Sequence, residues 1–159
     1  MPFEEPIESH EFKETEHVLA HYPEHEPRSA SALYNRTHHQ LCILQDVPCF
    51  ICGKSHKDSI ITETHHFFCE WAAANAVNWV RFGKLAQNLY NPQTGKHIGS
   101  SFDWAEIALE PTLFIDSAEN MVVLCADHHR AEGIGIHHVP FPLWILQAFP
   151  IDGYEFLTE

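Results

Sequence analysis

The residues with the clearest potential for chemistry in this chain of 159 residues are two pairs, Cys49-x-x-Cys52 and Cys125-x-x-His128. Two-residue spacing presents both members of a pair to one side of a tight turn, and tetrahedral zinc prefers thiolate and imidazole ligands. Gly53, directly after the first pair, suits such a turn. We therefore predict one structural Zn²⁺ held by all four residues. The alternative is that the cysteines are small core residues and His128 is a surface residue.

A second group of residues could supply hydrolytic chemistry. The chain has 14 histidines, and a β-prone stretch over 58–68 carries His65 and His66. His129 follows the second zinc pair, and Asn120 precedes it by five residues. If zinc joins Cys52 to Cys125, His65 and His66 come close to His129. Phosphodiester hydrolysis needs a divalent ion to stabilise charge on the phosphate, and a base that titrates near neutrality.

Three segments resemble the HNH, or ββα-metal, nuclease family: PCFICG at 48–53, ETHHF at 63–67 and NMVVLCADHHR at 120–130. The third is the most specific, with His128 in place of the family's second cysteine in its Leu-Cys-x-x-Cys-His pattern. The resemblance implies an α+β fold built as a zinc-stapled ββα-metal finger with a helical insertion and a C-terminal helix.

The resemblance also implies a role for each matched residue. His66 takes the general-base position, and His65 and His129 hold a catalytic divalent cation, which could be Mg²⁺, Mn²⁺, Ni²⁺ or Zn²⁺. Asn120 falls on the family's central Asn, which either orients the base loop or approaches the metal. His65 and His66 could exchange roles, because adjacent strand residues point to opposite faces.

The chain departs from the family pattern at two places. Between His66 and Asn120 lie 53 residues, so an insertion is expected there. Gly133 stands where colicin-type members have a third histidine. His137 or His138 could supply that missing ligand, although a polar turn before Pro140 is the favoured interpretation of this pair.

The elements that must position these residues follow from periodicity and turn signals. We predict strands over 40–47, 58–68 and 121–124, and helices over 70–89, 102–109, 126–132 and 142–149. We predict that residues 1–28 form an acidic arm, extended or partly disordered. Residues 29–159 form a single HNH-like domain with its core motif at 48–132 and an insertion at 70–115.

The net charge of −13 is unevenly distributed: residues 1–27 carry −7, residues 28–100 carry +3 and residues 101–159 carry −9. The mildly basic middle segment supplies candidate phosphate contacts, and so few bases predict weak, salt-sensitive binding to double-stranded DNA. The acidic arm could bind a protein partner. The candidate phosphate contacts are Lys54, Lys57, Arg81, Lys84 and Arg130.

No stretch is long enough to cross a membrane and no apolar signal segment opens the chain, so a cytoplasmic protein is expected. Five cysteines with one C-x-x-C favour metal binding over disulfides. Cys42 and Cys69, which lack paired spacing, are expected to be buried thiols. Six further histidines are expected to be solvated: His10, His17, His21, His25, His38 and His39.

The sequence is therefore compatible with two functions from different classes. The first is a metal-dependent endonuclease acting on DNA, similar to small phage-borne members of the family. The alternative is a non-catalytic structural zinc-binding module that binds a protein partner. An RNA-directed nuclease ranks last, because the chain offers no aromatic and basic platform for single strands.

Overall fold

The computed structural model describes residues 29–149 and residue 152. The described part is α+β, as expected, and the predicted arm at 1–28 lies outside it. A short π-helical segment (His39–Leu44) and two 3-10 segments (His56–Asp58 and Trp71–Ala76) accompany the regular elements. Those elements are α1 (Ala32–His38), β1 (Thr62–His66), α2 (Trp79–Ala86), α3 (Trp104–Ile107), α4 (Thr112–Ile115), β2 (Met121–Cys125), α5 (Ala126–Arg130) and α6 (Phe141–Leu146).

The two strands pair antiparallel, with His65 opposite Val122 and Thr62 opposite Cys125. Every residue of β2 is buried, which fits its unbroken apolar sequence. Helix α5 begins at the residue after β2. The predicted strands at 58–68 and 121–124 and the predicted helix at 126–132 are thus confirmed, with shorter bounds for β1 and α5.

The strand predicted over 40–47 is wrong. Residues 32–44 are helical throughout, because α1 runs directly into the π-helical segment. Ser31 starts α1 by accepting a hydrogen bond from the Tyr34 backbone N–H. Leu41 and Cys42 are buried beside strand β2 in a small core with Met121 and Val123. A short apolar run fits a buried helix turn as well as a strand, and packing decides between them.

The region between the strands folds around a core of its own. The single helix predicted over 70–89 is broken after the Trp71–Ala76 segment, where Val77 and Asn78 are extended and the Asn78 side chain caps α2 through the Arg81 backbone N–H. The helix predicted over 102–109 is present as α3, capped by Asp103. We call the buried cluster of this region the insert core: Cys69, Trp79, Ala86, Ile98, Ile107, Phe114 and Ile115.

A third core lies on the face of the sheet opposite the small core of Leu41 and Cys42, and the predicted C-terminal helix is present there as α6. Trp144 of α6 is fully buried against Val122 and Leu124 of β2. Its indole N–H also donates to the main-chain oxygen of His128 in α5. Within residues 29–149 and residue 152, no helix is long and apolar enough to span a membrane.

Candidate metal centres

Cys49, Cys52, Cys125 and His128 converge as the spacing predicts, with one potential ligand atom from each lying within 4.8 Å of the others. The Nδ1 atom of His128 is 3.7 Å from Sγ of Cys49 and 3.1 Å from Sγ of Cys125. Tetrahedral zinc, with bonds of about 2.3 Å to sulfur and 2.0 Å to nitrogen, places sulfur and nitrogen about 3.5 Å apart. This Cys3His cluster could therefore hold a structural metal such as zinc.

The backbone around the Cys3His cluster explains how the two pairs meet. Gly53 has a φ of +70°, and its N–H donates to the main-chain oxygen of Cys49, which closes the first turn. The Phe50 N–H donates to the Val123 main-chain oxygen at 2.8 Å, which attaches that turn to strand β2. The second pair lies at the junction of β2 and α5. Backbone hydrogen bonds therefore hold the first turn beside the end of strand β2.

Burial sets the protonation of the Cys3His cluster. Burial raises the pKa of Cys49 to about 12, and repulsion from Cys125 adds to the effect. Burial also raises the pKa of Cys125, with repulsion from Cys52 contributing. Burial lowers the pKa of His128, so its imidazole is neutral near pH 7. A divalent cation would compensate the thiolate charge that burial otherwise disfavours, and its binding would release protons.

Three imidazoles form a second cluster. One potential ligand atom from each of His65, His129 and His137 lies within 4.8 Å of the others. The Nδ1 atom of His65 is 3.3 Å from Nε2 of His129, close to the separation of about 3.4 Å that two nitrogen ligands of one tetrahedral ion would have. The ring of His137 lies 4.9 Å from that of His65 and 5.0 Å from that of His129, measured between centroids. His137 and His138 lie in an exposed turn before Pro140, as the favoured interpretation predicts, and from that turn His137 also contributes a ring to the cluster.

His137 reaches the three-histidine cluster because the chain reverses after α5. Gly133 has a φ of +88°, which favours glycine. The Gly135 N–H then donates to the Ala131 main-chain oxygen, and the Ile136 N–H returns to that of His128. Gly133 thus makes the turn that brings in a third imidazole from four residues further on.

A carboxylate orients His129. Its Nδ1 atom lies 2.6 Å from Oε2 of Glu63, and the other oxygen of Glu63 accepts from Arg130, also at 2.6 Å. With the Nδ1 proton directed to the carboxylate, the Nε2 lone pair of His129 points toward His65. Such carboxylate–histidine contacts commonly fix the ring of a metal ligand. Glu63 was not singled out from the sequence, although it lies two residues before His65 on the same face of the strand.

Burial shapes the protonation of the three-histidine cluster. It lowers the pKa of His65 to about 4, an effect that Glu70 partly opposes and the neighbouring histidines reinforce. Burial likewise lowers the pKa of His137. Both rings are therefore neutral at pH 7 and have lone pairs available to a cation. A divalent ion fits this donor set, although the set is more exposed than the Cys3His cluster.

His66 points to the opposite face of β1 from His65, as strand alternation requires. It is 5% exposed, and its Nε2 atom lies 3.2 Å from Oδ1 of Asp116. Glu70 reaches both histidines: one carboxylate oxygen is 3.8 Å from Nε2 of His65 and the other 3.6 Å from Nδ1 of His66. Neither acid was identified from the sequence, because each lies at a border of the insertion.

Asn120 does not reach either cluster directly. Its side chain is fully buried and accepts from the N–H groups of Phe68 and Cys69, while its amide donates to the main-chain oxygens of Cys69 and Ile115. These bonds tie down the segment that follows His66. Of the two alternatives expected for Asn120, these contacts favour the one in which its side chain orients a loop over the one in which it approaches a metal.

The structure also shows the surroundings of several other cysteine, histidine and basic residues considered in the sequence. Cys42 and Cys69 are buried thiols, as expected. His38 does not follow the expectation of a solvated side chain, since its Nδ1 lies 3.4 Å from Oγ1 of Thr64 and 3.7 Å from Sγ of Cys42. Of the proposed phosphate contacts, Arg130 pairs with Glu63 and Lys57 pairs with Asp46.

No protein-family model, no curated protein and no solved structure matches this chain.

Proposed function

We propose that this chain is a metal-dependent endonuclease that hydrolyses phosphodiester bonds in DNA by an HNH mechanism. In this proposal β1, β2 and α5 form the ββα-metal finger, and the Cys3His cluster is its structural zinc site. The observation that carries the proposal is the convergence of His65, His129 and His137 beside the strand that also bears His66.

The three imidazoles would hold the catalytic divalent cation. Such an ion supplies positive charge for the scissile phosphate and the departing oxygen. The protein contributes neutral rings, since burial of His65 lowers its pKa, and partial desolvation together with repulsion from His129 lowers that of His137. It also contributes Glu63, which holds His129 with one nitrogen toward the cluster.

His66 is the general base of the proposed reaction. It accepts a proton from a water molecule as the water oxygen bonds to phosphorus. The bond from phosphorus to the leaving oxygen then breaks, and that oxygen takes a proton from solvent. An imidazole suits this step because its usual pKa lies near neutral pH. His66 itself is buried, and Glu70, whose side chain is 48% exposed, is the neighbour on the side from which the water would have to approach.

The substrate assignment rests on the chemistry of the centre and on the mildly basic charge of residues 28–100. Double-stranded DNA is the proposed substrate. A chain with a net charge of −13 should bind it weakly, so cleavage should fall steeply as salt rises.

The test is nicking of supercoiled plasmid by the zinc-loaded protein at low salt, with Mg²⁺, Mn²⁺, Ni²⁺ or added Zn²⁺. Wild type should nick, and brief EDTA treatment that leaves the structural zinc in place should stop it. His66→Ala should reduce the rate by about 10²–10⁴-fold, while His39→Ala, at an exposed histidine, should nick like wild type.

Two results would count against the proposal. Equal nicking by His66→Ala and wild type would refute the base assignment. A zinc-loaded wild type that cuts neither plasmid, single-stranded DNA nor RNA with any of these ions would leave the alternative, a structural zinc module that binds a protein partner.

A further inference from the structure

Asp116 is a buried acid outside every segment that carries the family resemblance, yet it lies against the proposed base. Its Oδ1 atom is 3.2 Å from Nε2 of His66, and the two residues are 4% and 5% exposed. A buried carboxylate is costly unless charge or hydrogen bonds compensate it. The position of Asp116 at the end of helix α4 does not by itself explain why this acid is buried.

The carboxylate of Asp116 is fixed independently of His66. Oδ2 accepts from the Ser31 hydroxyl at 2.6 Å, and the main-chain oxygen accepts from the Thr37 hydroxyl at 2.8 Å. Its backbone N–H donates to the main-chain oxygen of Thr112. Contacts from the start of α1, from the end of α1 and from α4 thus hold Oδ1 in place. A carboxylate held this way can impose an orientation on the imidazole.

We propose that Asp116 is the positioning residue of His66, an inference that rests on the proposed nuclease function. Asp116 accepts the Nε2 proton of the neutral ring, which leaves the lone pair on Nδ1. Nδ1 lies 3.6 Å from the half-exposed Glu70 carboxylate, which is farther from the ring than Asp116 is, and the attacking water would take the place of that carboxylate at Nδ1. When Nδ1 takes the proton of the attacking water, Asp116 stabilises the resulting imidazolium. A carboxylate plays this part for the histidine of serine proteases, where the matching Asp→Asn change lowers kcat by about 10⁴.

The kinetic test uses Asp116→Asn, which keeps the side-chain shape and removes the charged acceptor. We expect kcat for plasmid nicking to fall by about 10²–10⁴-fold, with KM and the ion content of both clusters unchanged. In the His66→Ala background the same change should have no further effect, because Asp116 acts only through that ring. The matched control is Glu119→Gln, at an acid three residues away that pairs with Lys96, and its kcat should equal that of wild type.

An undiminished kcat in Asp116→Asn, or an equal loss with and without His66, would overturn the positioning role while leaving the nuclease function in place. A measurement free of activity covers the case in which Asp116 variants do not fold. In the zinc-loaded wild type labelled with ¹⁵N in its histidine rings, the His66 signals should show a proton on Nε2 and none on Nδ1 at pH 7. A proton on Nδ1 would overturn the inference. If His66 shows the expected tautomer but the protein cuts no nucleic acid, the Asp116–His66 contact stands and only the proposed function is refuted.

Discussion

The Cys3His cluster and the three-histidine cluster share helix α5 but differ in their surroundings. His128 and His129 are consecutive, yet each enters a different cluster. The first cluster has two buried thiols, Cys49 and Cys125, and the packed α6 behind it. The second has an exposed His137 and two carboxylates, Glu63 and Glu70, at its edge. A closed donor set suits an ion that stabilises the fold, and an open set suits an ion that exchanges and meets a substrate.

The largest effect should come from removing a ligand of the closed cluster. Cys52 is exposed, so Cys52→Ser changes a ligand with little loss of packing. We expect the zinc content to fall from one ion per chain and the free energy of unfolding to drop by as much as about 10 kcal/mol. Metal analysis and thermal unfolding followed by circular dichroism measure both. The control is Cys42→Ala at a buried thiol outside the clusters, which should keep its zinc. Full zinc content in Cys52→Ser would show that the cluster does not hold the ion.

Variants of the consecutive residues His128 and His129 should distinguish the two clusters most sharply. His129→Ala should keep the structural zinc and the fold, lose the exchangeable ion and lower nicking by about 10²-fold or more. His128→Ala should instead lose zinc and stability together. Titration of Mn²⁺ into the two variants, followed by electron paramagnetic resonance, gives the ion count at the open cluster. If both variants lost the same ion, the clusters would not be independent.

A smaller effect is expected from the residue that orients His129. Glu63→Gln removes the charged acceptor of the His129 Nδ1 proton and should weaken ion binding at the three-histidine cluster by about 10–100-fold. Zinc at the Cys3His cluster should be unaffected. Arg130→Ala, which removes only the exposed partner of Glu63, is the matched control and should change the affinity far less. Equal Mn²⁺ affinities for Glu63→Gln and wild type would show that the contact does not orient a ligand.

The pH dependence of stability should reveal the buried neutral His65. Its pKa is lowered to about 4 from an ordinary value of 6.5, so the unfolded chain binds this proton first as pH falls. The free energy of unfolding should therefore decrease as pH falls from 6.5 toward 4, by about 2 kcal/mol between pH 7 and pH 5. Urea unfolding at both values should show a smaller decrease in His65→Gln. Equal decreases would mean that His65 is not buried in its neutral form.

The parts of the site that could be predicted from the sequence depend on local spacing. Cys49 and Cys52 lie on one turn, and Cys125 and His128 lie at one strand-to-helix junction, so each pair needs only its own few residues to be positioned. Strand alternation likewise predicts that His65 and His66 face opposite sides. Little beyond this spacing is needed to predict the zinc site, because thiolate and imidazole groups so placed suit tetrahedral coordination of one ion.

The remaining parts depend on contacts between distant segments. Asp116 and His66 are 50 positions apart, and no periodicity indicates that they meet. His137 reaches its cluster only through the reversal at Gly133. The Leu41–Cys42 turn is helical because it packs against β2, which local β propensity does not register. The long helix expected at 70–89 breaks at Asn78, whose side chain competes for backbone N–H groups and therefore favours a cap.

The buried amide of Asn120 has a further consequence for chain length. It donates to the main-chain oxygens of both Cys69 and Ile115, so one side chain holds the two ends of the insert close together. The entropy lost on closing a loop grows only with the logarithm of its length. Once those ends are fastened, the number of residues between them adds little to the cost of folding. The two-stranded sheet could therefore accept inserts of very different size between Cys69 and Ile115, with their own folds, while the strands keep their register.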